Sequence, residues 1–215
     1  MILKLGNKEI EAGRVFCIGM NYAEHVKELN NTPPESPVIF MKPASSLVPA
    51  GETVHFPSHG GELHFEAELV VLIGREGRPE SEDDAKDFMS GLSLGLDLTL
   101  RDVQTKLRKA GHPWEASKAF DESAPVGEFT PFDNSIDPGR ITFRCLVNGE
   151  VRQMGDTAEM IFPVKRLVYE IGKIWRLRKG DLIYTGTPSG VGPLNRGDEV
   201  TVEGERCGAF TWKIS

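Results

Sequence analysis

The sequence predicts an α+β protein that is mainly β, built from mixed and antiparallel sheets with a few helices. Its 23 glycines and 14 prolines divide the chain into short segments, most of which have the apolar patterns of strands. The pair Asn148-Gly149 lies between two extended runs, which is a strong hairpin signal because both residues tolerate positive φ. The sequence contains no internal repeat and no regular alternation of strands with helices. We therefore expect a single domain spanning residues 1–215.

In the first half of the chain, apolar runs of strand length alternate with amphipathic segments. The predicted strands cover residues 14–18, 37–41, 63–73 and 91–100. The predicted helices cover residues 21–29, 81–89 and 102–110. The second of these helices begins with Ser81-x-x-Asp84, a relative of the capping box that is typical of a helix N-terminus.

The second half is predicted to contain one long helix between further strands. The predicted strands cover residues 140–147, 181–185, 199–202 and 208–214. The helix covers residues 163–175, with Pro163 in its first turn. One face of this helix is apolar and is formed by Val164, Leu167, Val168, Ile171 and Ile174.

Composition and charge exclude several classes of function. The net charge is -7 and no run of Lys or Arg is present, so we expect no binding to nucleic acid. No apolar stretch approaches the length of a membrane span or a secretory signal, and we expect a cytoplasmic protein without a membrane partner. Cys17, Cys145 and Cys207 are odd in number and lack CxxC spacing, which argues against a zinc site or disulfides. Cys17 and Cys145 lie in apolar, strand-like runs and are interpreted as small buried side chains.

Acidic residues fall at a two-residue spacing in one predicted strand. Side chains two apart in a strand share a face, so His64, Glu66 and Glu68 are expected on one side of the strand over residues 63–73. In the strand over residues 91–100, Asp97 is the one acid on a face otherwise made of small residues such as Gly95. Small residues are expected where another group must approach closely.

Three neighbouring carboxylates would form a site for a hard cation. Carboxylates on one face repel each other unless a cation lies between them. Oxygen ligands suit Mg²⁺, Mn²⁺ or Ca²⁺, and three protein ligands leave positions open for water or substrate. The spacing alone leaves an alternative open, in which Glu66 and Glu68 lie on the solvated face of an amphipathic strand. His64 is either an optional ligand or an ordinary polar residue.

Seven stretches, in one order and spanning nearly the whole chain, resemble the fumarylacetoacetate hydrolase family, in particular its short single-domain acylpyruvase-like branch. They are CIGMNYAEHVKE (17–28), IFMKP (39–43), HFEAEL (64–69), LDLTLRDVQ (96–104), PWEASKAFD (113–121), VNGE (147–150) and TGTPSGVGP (185–193). The resemblance implies a β-roll of mixed sheets, paired as a homodimer. It also implies that Glu66, Glu68 and Asp97 bind Mg²⁺ or Mn²⁺.

The resemblance further implies a catalytic dyad, His25 and Glu28, on a short helix over the metal. The two residues are three apart, so they share a helical face and can form a hydrogen bond. A carboxylate that holds the imidazole in one tautomer makes it a better general base for water. Polar groups near the metal and substrate are assigned in the same way to Lys118, Gln104, Thr187 and Gly186.

The activity implied by the resemblance is metal-dependent hydrolysis of a carbon–carbon bond in 3-acylpyruvate-type 2,4-dioxo acids. The substrate would be a small anionic 2-oxo acid, with pyruvate and a carboxylic acid as products. One alternative is decarboxylation or tautomerisation of oxaloacetate, or isomerisation of a 2-hydroxymuconate-type diacid. Another is a non-catalytic binding protein that uses metal for stability.

Three residues near the motifs receive weaker assignments. Met20 stands where animal acylpyruvases carry arginine, which leaves the substrate preference open. Lys42 is interpreted as covering the site, and Arg101 with Asp102 as a structural ion pair.

Overall fold

The computed structural model describes residues 1–28, 31–133 and 135–215. The strands of the described residues are β1 (Ile2–Leu5), β2 (Lys8–Glu11), β3 (Val15–Gly19), β4 (Val38–Lys42), β5 (Leu47–Pro49), β6 (Thr53–Val54), β7 (Leu63–Phe65), β8 (Ala67–Ile73), β9 (Met89–Leu96), β10 (Thr99–Leu100), β11 (Ala124–Val126), β12 (Thr130–Pro131), β13 (Thr142–Val147), β14 (Glu150–Asp156), β15 (Leu182–Tyr184), β16 (Gly192–Pro193), β17 (Glu199–Gly204) and β18 (Gly208–Ile214). The helices are α1 (Ala23–Glu28), α2 (Glu82–Ala85), α3 (Arg101–Ala110), α4 (Glu115–Lys118) and α5 (Val164–Ile174). Short 3₁₀ turns cover Ala44–Ser46, Lys86–Phe88 and Thr157–Glu159.

A large mixed sheet forms the centre of the fold. Its strand order is β4-β3-β15-β8-β9-β11-β5, with β12 added beside β9. β3 runs parallel to β15 and β5 runs parallel to β11, whereas the other neighbours are antiparallel. β8 is buried along its whole length, as expected for a strand covered on both faces. The predicted fold class, mainly β with mixed sheets and few helices, is confirmed.

A second large sheet has the order β14-β13-β17-β18-β6. Asn148 and Gly149 join β13 to β14 with φ of 53° and 81°, which confirms the predicted hairpin and its reason. Smaller sheets pair β10-β7-β16 and β1-β2. The three thiols are free and buried, in agreement with their interpretation as small apolar side chains.

The predicted long strand over residues 63–73 is interrupted at Glu66. β7 pairs with β10 and β16, whereas β8 pairs with β9 and β15, so the chain changes sheet at this residue. The predicted strand over residues 91–100 begins two residues earlier, and it is interrupted in the same way at Asp97 and Leu98, between β9 and β10. Continuous apolar alternation does not show where a strand leaves one sheet for another, since both sheets bury the same kind of side chain.

Gly95 allows a neighbouring strand to pair closely with β9 in the central sheet. A Cβ on Gly95 would lie 2.6 Å from the Pro125 carbonyl oxygen, because β11 pairs with β9 at this point. The group that approaches this face closely at Gly95 is therefore a neighbouring strand.

The predicted helices differ from the observed ones mainly at their ends. Ser81 caps α2 by accepting a hydrogen bond from the Asp84 amide, as predicted, but the helix gives way to a 3₁₀ turn and ends before β9. Pro163 precedes α5 with ψ of 153°, outside the helix, and Ile174 is 56% exposed because it lies in the last turn. The predicted helix over residues 21–29 corresponds to α1, and its last residue, Leu29, lies outside the described residues.

Candidate active site

The pairing of β8 with β9 brings two distant acids together. Ala67 lies opposite Leu96 in this antiparallel pair. Glu66 directly precedes β8 and Asp97 directly follows β9, so the register places both acids at the same end of the pair. The Asp97 amide donates a hydrogen bond to the Glu66 carbonyl oxygen at 2.8 Å. The interruptions of both strands therefore position the acids.

Three buried carboxylates converge at this end of the sheet. One oxygen from each of Glu66, Glu68 and Asp97 lies within 4.8 Å of the other two. The residues are only 5%, 1% and 1% exposed. The structure thus brings the three predicted ligands together, and their burial excludes the alternative of a solvated strand face.

Basic side chains contact two of the three acids. Lys118 Nζ donates to Glu66 Oε2 at 2.8 Å and to Asp97 Oδ2 at 2.7 Å. Arg101 Nη2 donates to Glu66 Oε1 at 2.5 Å, and Lys42 Nζ lies 2.8 Å from Asp97 Oδ1. Burial opposes ionisation of Glu66, but Lys118 and Arg101 outweigh it and hold the pKa of this carboxyl well below its usual range. Burial also lowers the pKa of Lys118, and Asp97 and Glu66 reverse this, so the amine stays charged.

Glu68 differs from the other two acids because it lacks a cationic partner. The Gly186 amide donates to Glu68 Oε2 at 2.7 Å. No basic side chain of the described residues forms an ion pair with this carboxylate. Burial first, and then the charge of Asp97, raise the pKa of Glu68 well above its usual value. Ionised Glu68 therefore needs a positive charge that the neighbouring side chains do not supply.

The residues present fit a hard divalent cation. Carboxylate oxygens are the ligands that Mg²⁺ and Mn²⁺ prefer, and an ion between the three acids would compensate the charge of Glu68. Three protein ligands would leave coordination positions for water or substrate. Among the described residues, the group able to hold a metal contains the three acids without His64. Burial and then Arg101 lower the pKa of His64 to about 4, so this ring is neutral near pH 7.

The helix α1 places a histidine and a glutamate beside the acids. His25 is 4% exposed and lines the cleft that contains Glu66 and Glu68. Its Nδ1 lies 3.2 Å from Glu28 Oε2, so the predicted hydrogen bond is present. The Gly190 amide donates to the same carboxylate at 3.1 Å. Glu28 thus orients the imidazole and joins α1 to the loop after β15.

The other predicted site residues have unequal access to the cleft. Gln104, Lys118 and Thr187 line it. Arg101 Nη1 donates to Gln104 Oε1 at 2.6 Å, which leaves the amide N–H groups of Gln104 to face a ligand. The Thr187 hydroxyl donates to the Ala67 carbonyl oxygen at 2.9 Å, so its hydrogen is already committed. Gly186 acts through its backbone: its φ is 100°, and its N–H donates to the carboxylate of Glu68.

Sequence reasoning missed two basic residues of the site. Arg101 forms no ion pair with Asp102, since it contacts Glu66 while Asp102 accepts from the Gly61 amide at 3.1 Å. Lys42 is 2% exposed and belongs to the site's charge balance, so its interpretation as a cover was incomplete. The spacing of Arg101 three residues before Gln104, on one helical face, was a signal that could have identified it.

Comparisons with known proteins agree with this geometry. The model for the fumarylacetoacetate (FAA) hydrolase C-terminal region matches residues 14–215. The chain belongs to the fumarylacetoacetate hydrolase family. It is similar to the oxaloacetate tautomerase YcgM of Escherichia coli K12, with 46% identity over 88% of this chain and 87% of the relative. It is 39% identical to the human mitochondrial oxaloacetate tautomerase FAHD1, over 93% of this chain and 90% of the relative.

Solved structures of this family share the whole fold. The fumarylpyruvate hydrolase of Pseudomonas aeruginosa, in complex with Mn²⁺ and pyruvate, matches with a TM-score of 0.95 at 36% identity, covering 100% of this chain and 95% of that one. The predicted family and its divalent-metal cofactor are therefore confirmed, and the protein is a member of a family of metal-dependent hydrolases and isomerases. Within the described residues, no helix combines the length and apolar character needed to cross a membrane.

Proposed function

We propose that this protein is a metal-dependent hydrolase that cleaves the carbon–carbon bond of 3-acylpyruvate-type 2,4-dioxo acids. The observation that carries the proposal is that His25, which contacts Glu28, lines the same cleft as Glu66 and Glu68, two of the three converging acids. A site that held metal for stability alone would not need an oriented base beside it. In this proposal residues 1–215 act as one catalytic domain, and Glu66, Glu68 and Asp97 are the metal ligands.

The residues of the cleft can carry the steps of hydrolysis. The bound metal would act as a Lewis acid toward the 2-oxo acid group. Because Nδ1 of His25 contacts Glu28, Nε2 is the nitrogen left to accept a proton from water as the water oxygen attacks C4. The C3–C4 bond then breaks, its electron pair stays with C3, and C3 takes up a proton. The products are pyruvate and the carboxylic acid formed from C4.

Two further side chains are assigned to substrate binding. The ammonium of Lys118 has three N–H donors, two of which reach Glu66 and Asp97, so one remains for a substrate oxygen. The amide of Gln104 offers donors to the substrate carboxylate. Thr187 and Gly186 remain in the proposed substrate loop, although the committed hydroxyl of Thr187 makes it the weaker donor.

The second candidate is keto–enol tautomerisation of oxaloacetate, which the curated relatives named oxaloacetate tautomerases favour. The same base would remove a proton from C3 of oxaloacetate and return it to the 2-oxo oxygen. This reaction needs no attacking water. We also propose that the protein forms a homodimer. A cytoplasmic location is a further proposal, and one relative is named mitochondrial.

We expect the purified protein with Mg²⁺ or Mn²⁺ to consume acetylpyruvate, measured as loss of its enol absorbance. EDTA should abolish the reaction and added metal should restore it, because the bound metal would supply the Lewis acid for the 2-oxo acid group. Rapid interconversion of the oxaloacetate tautomers without acetylpyruvate turnover would replace the first candidate by the second. No turnover of any 2-oxo acid would favour a non-catalytic binding protein.

We expect His25→Ala to lower kcat by at least about 100-fold, the range of a general base, while metal affinity stays unchanged in titration calorimetry. Glu28→Gln should have a smaller effect in the same direction, because Glu28 acts through the imidazole. The matched control is His55→Ala, since His55 also pairs with a glutamate, Glu122, but is 72% exposed outside the cleft. Equal activity of the two histidine variants would contradict the role of His25.

A further inference from the structure

The short helix α4 carries Lys118 into the cleft, and this helix depends on contacts from other segments. α4 spans only Glu115–Lys118, and a helix of one turn is not stable in isolation. The Trp114 carbonyl oxygen accepts from the Lys118 amide at 3.1 Å, so the turn runs from Trp114 to Lys118. The position of the Lys118 ammonium is therefore set by the residues that pack against the two ends of this turn.

Phe40 contacts both ends of the turn. Its ring centroid lies 5.9 Å from that of Trp114 at an interplanar angle of 63°, an edge-to-face arrangement. Lys118 Nζ lies over the same Phe40 ring, 5.2 Å from its centroid. Phe40 belongs to β4, the outermost strand of the central sheet, and α4 packs against this strand. Phe40 thus joins the edge of the sheet to the start and the end of α4.

The same face of β4 supplies a second contact to Lys118. Phe40 and Lys42 are two residues apart in the strand, so their side chains share a face. Lys42 Nζ donates to the Lys118 carbonyl oxygen, which also accepts from the Ser123 hydroxyl at 2.8 Å. One face of β4 therefore contacts Lys118 at its backbone through Lys42 and at its ammonium through Phe40.

An aromatic ring beside a buried ammonium has an effect that an aliphatic side chain lacks. Lys118 is 3% exposed, and its ammonium donates to Glu66 and Asp97. The face of the ring attracts a cation, and this attraction is strongest where water is excluded. The ring offers no strong hydrogen-bond acceptor, so the remaining N–H of Lys118 stays available to a substrate oxygen.

We propose that Phe40 is a positioning residue that holds the Lys118 ammonium where it meets a substrate oxygen. The inference rests on the proposed function, in which Lys118 donates to the substrate. Phe40 lines the cleft together with Trp114 and Lys118, and it acts through the lysine. Replacing the ring should therefore weaken the binding of a 2-oxo acid and leave the affinity for Mn²⁺ unchanged.

Titration calorimetry of the Mn²⁺-loaded protein with pyruvate measures this effect without turnover. We expect Phe40→Leu to weaken pyruvate binding by about 3- to 30-fold, the range of a cation–π contact shielded from water. Phe40→Tyr keeps the ring and should retain the affinity of the unmodified protein. Phe40→Met takes the place of Phe40→Leu in this comparison if the leucine variant does not fold.

A double variant and a control separate the positioning of Lys118 from packing. Phe40→Leu should have no further effect on pyruvate binding in a protein that carries Lys118→Met, because the ring then has no ammonium to hold. The matched control is Phe56→Leu, which should keep the affinity for pyruvate. Phe56 also has a cation over its ring, the Arg196 guanidinium at 5.0 Å, but it lies outside the cleft.

Three outcomes would each overturn the role of Phe40. They are unchanged pyruvate affinity in Phe40→Leu, equal losses in Phe40→Leu and Phe40→Tyr, and a loss that persists beside Lys118→Met. Pyruvate affinity that survives Lys118→Met alone would also overturn it, since Phe40 acts through this lysine. Failure of the proposed hydrolysis is a separate observation, because it appears as absent turnover of acetylpyruvate.

Discussion

Replacing Glu68 with glutamine is expected to abolish turnover while making the metal-free protein more stable. Glutamine keeps an oxygen that can accept from the Gly186 amide, but it removes a buried carboxylate that forms no ion pair with a basic side chain of the described residues. Lower metal affinity removes a contribution of several kcal/mol to the reaction, so kcat/KM should fall by at least about 100-fold. Because burial and the charge of Asp97 raise the pKa of Glu68, its ionised form destabilises the metal-free protein near pH 7, and the neutral glutamine should increase the free energy of unfolding.

Activity assays, metal titration and urea unfolding with and without Mn²⁺ measure the two effects of Glu68→Gln separately. The control is Glu76→Gln, the same chemical change at an exposed position, which should alter neither property. Metal should stabilise the unmodified protein and the control, but not Glu68→Gln. A Glu68→Gln variant that is less stable than the unmodified protein without metal would show that the buried charge is compensated by other means.

The local elements of the fold could be predicted from the sequence, whereas their pairing could not. Helix α5 follows from its apolar face, and the turn at Asn148 and Gly149 follows from the conformations those two residues tolerate. The interruptions of the strands at Glu66 and Asp97 could not be predicted from the sequence, because they depend on which sheet each part of the strand joins. Short strands such as β11 and β16 were missed as well, since two or three residues carry too little pattern.

The acids of the site could be identified from the sequence and its resemblance to the family, whereas two of its basic residues were missed. The spacing of Glu66 and Glu68 places them on one strand face but leaves a solvated face open, and the resemblance of the surrounding stretches to the family favoured the metal site. Lysine and arginine are common on surfaces, so Lys42 does not stand out until a partner from another segment is known, whereas Arg101 could have been identified only by its helical spacing to Gln104. Lys42 meets Asp97 only because β4 and the end of β9 are brought together by the central sheet.

Replacing Lys42 with methionine is expected to destabilise the protein by about 3–5 kcal/mol, the usual cost of removing one partner from a buried ion pair. Lys42 Nζ pairs with Asp97 and donates to the carbonyl oxygens of Leu98, Ser123 and Lys118. Methionine has a similar unbranched shape but no donor, so the carbonyl oxygens would lose this donor and Asp97 would keep Lys118 as its cationic partner. The measurement is urea unfolding of the metal-free protein, with Lys27→Met as the control because Lys27 is 71% exposed.

The double variant Lys42→Met/Asp97→Asn separates the ion pair from the hydrogen bonds that Lys42 donates to the three carbonyl oxygens. If the loss of one of the two cations beside Asp97 causes most of the destabilisation, the double variant should be more stable than Lys42→Met alone, although it should lose metal binding. If the carbonyl contacts dominate, the second substitution should restore nothing, because asparagine cannot reach the three backbone oxygens. An unfolding midpoint for Lys42→Met equal to that of Lys27→Met would contradict both explanations. The buried lysine would then contribute to the charge of the site and not to the stability of the fold.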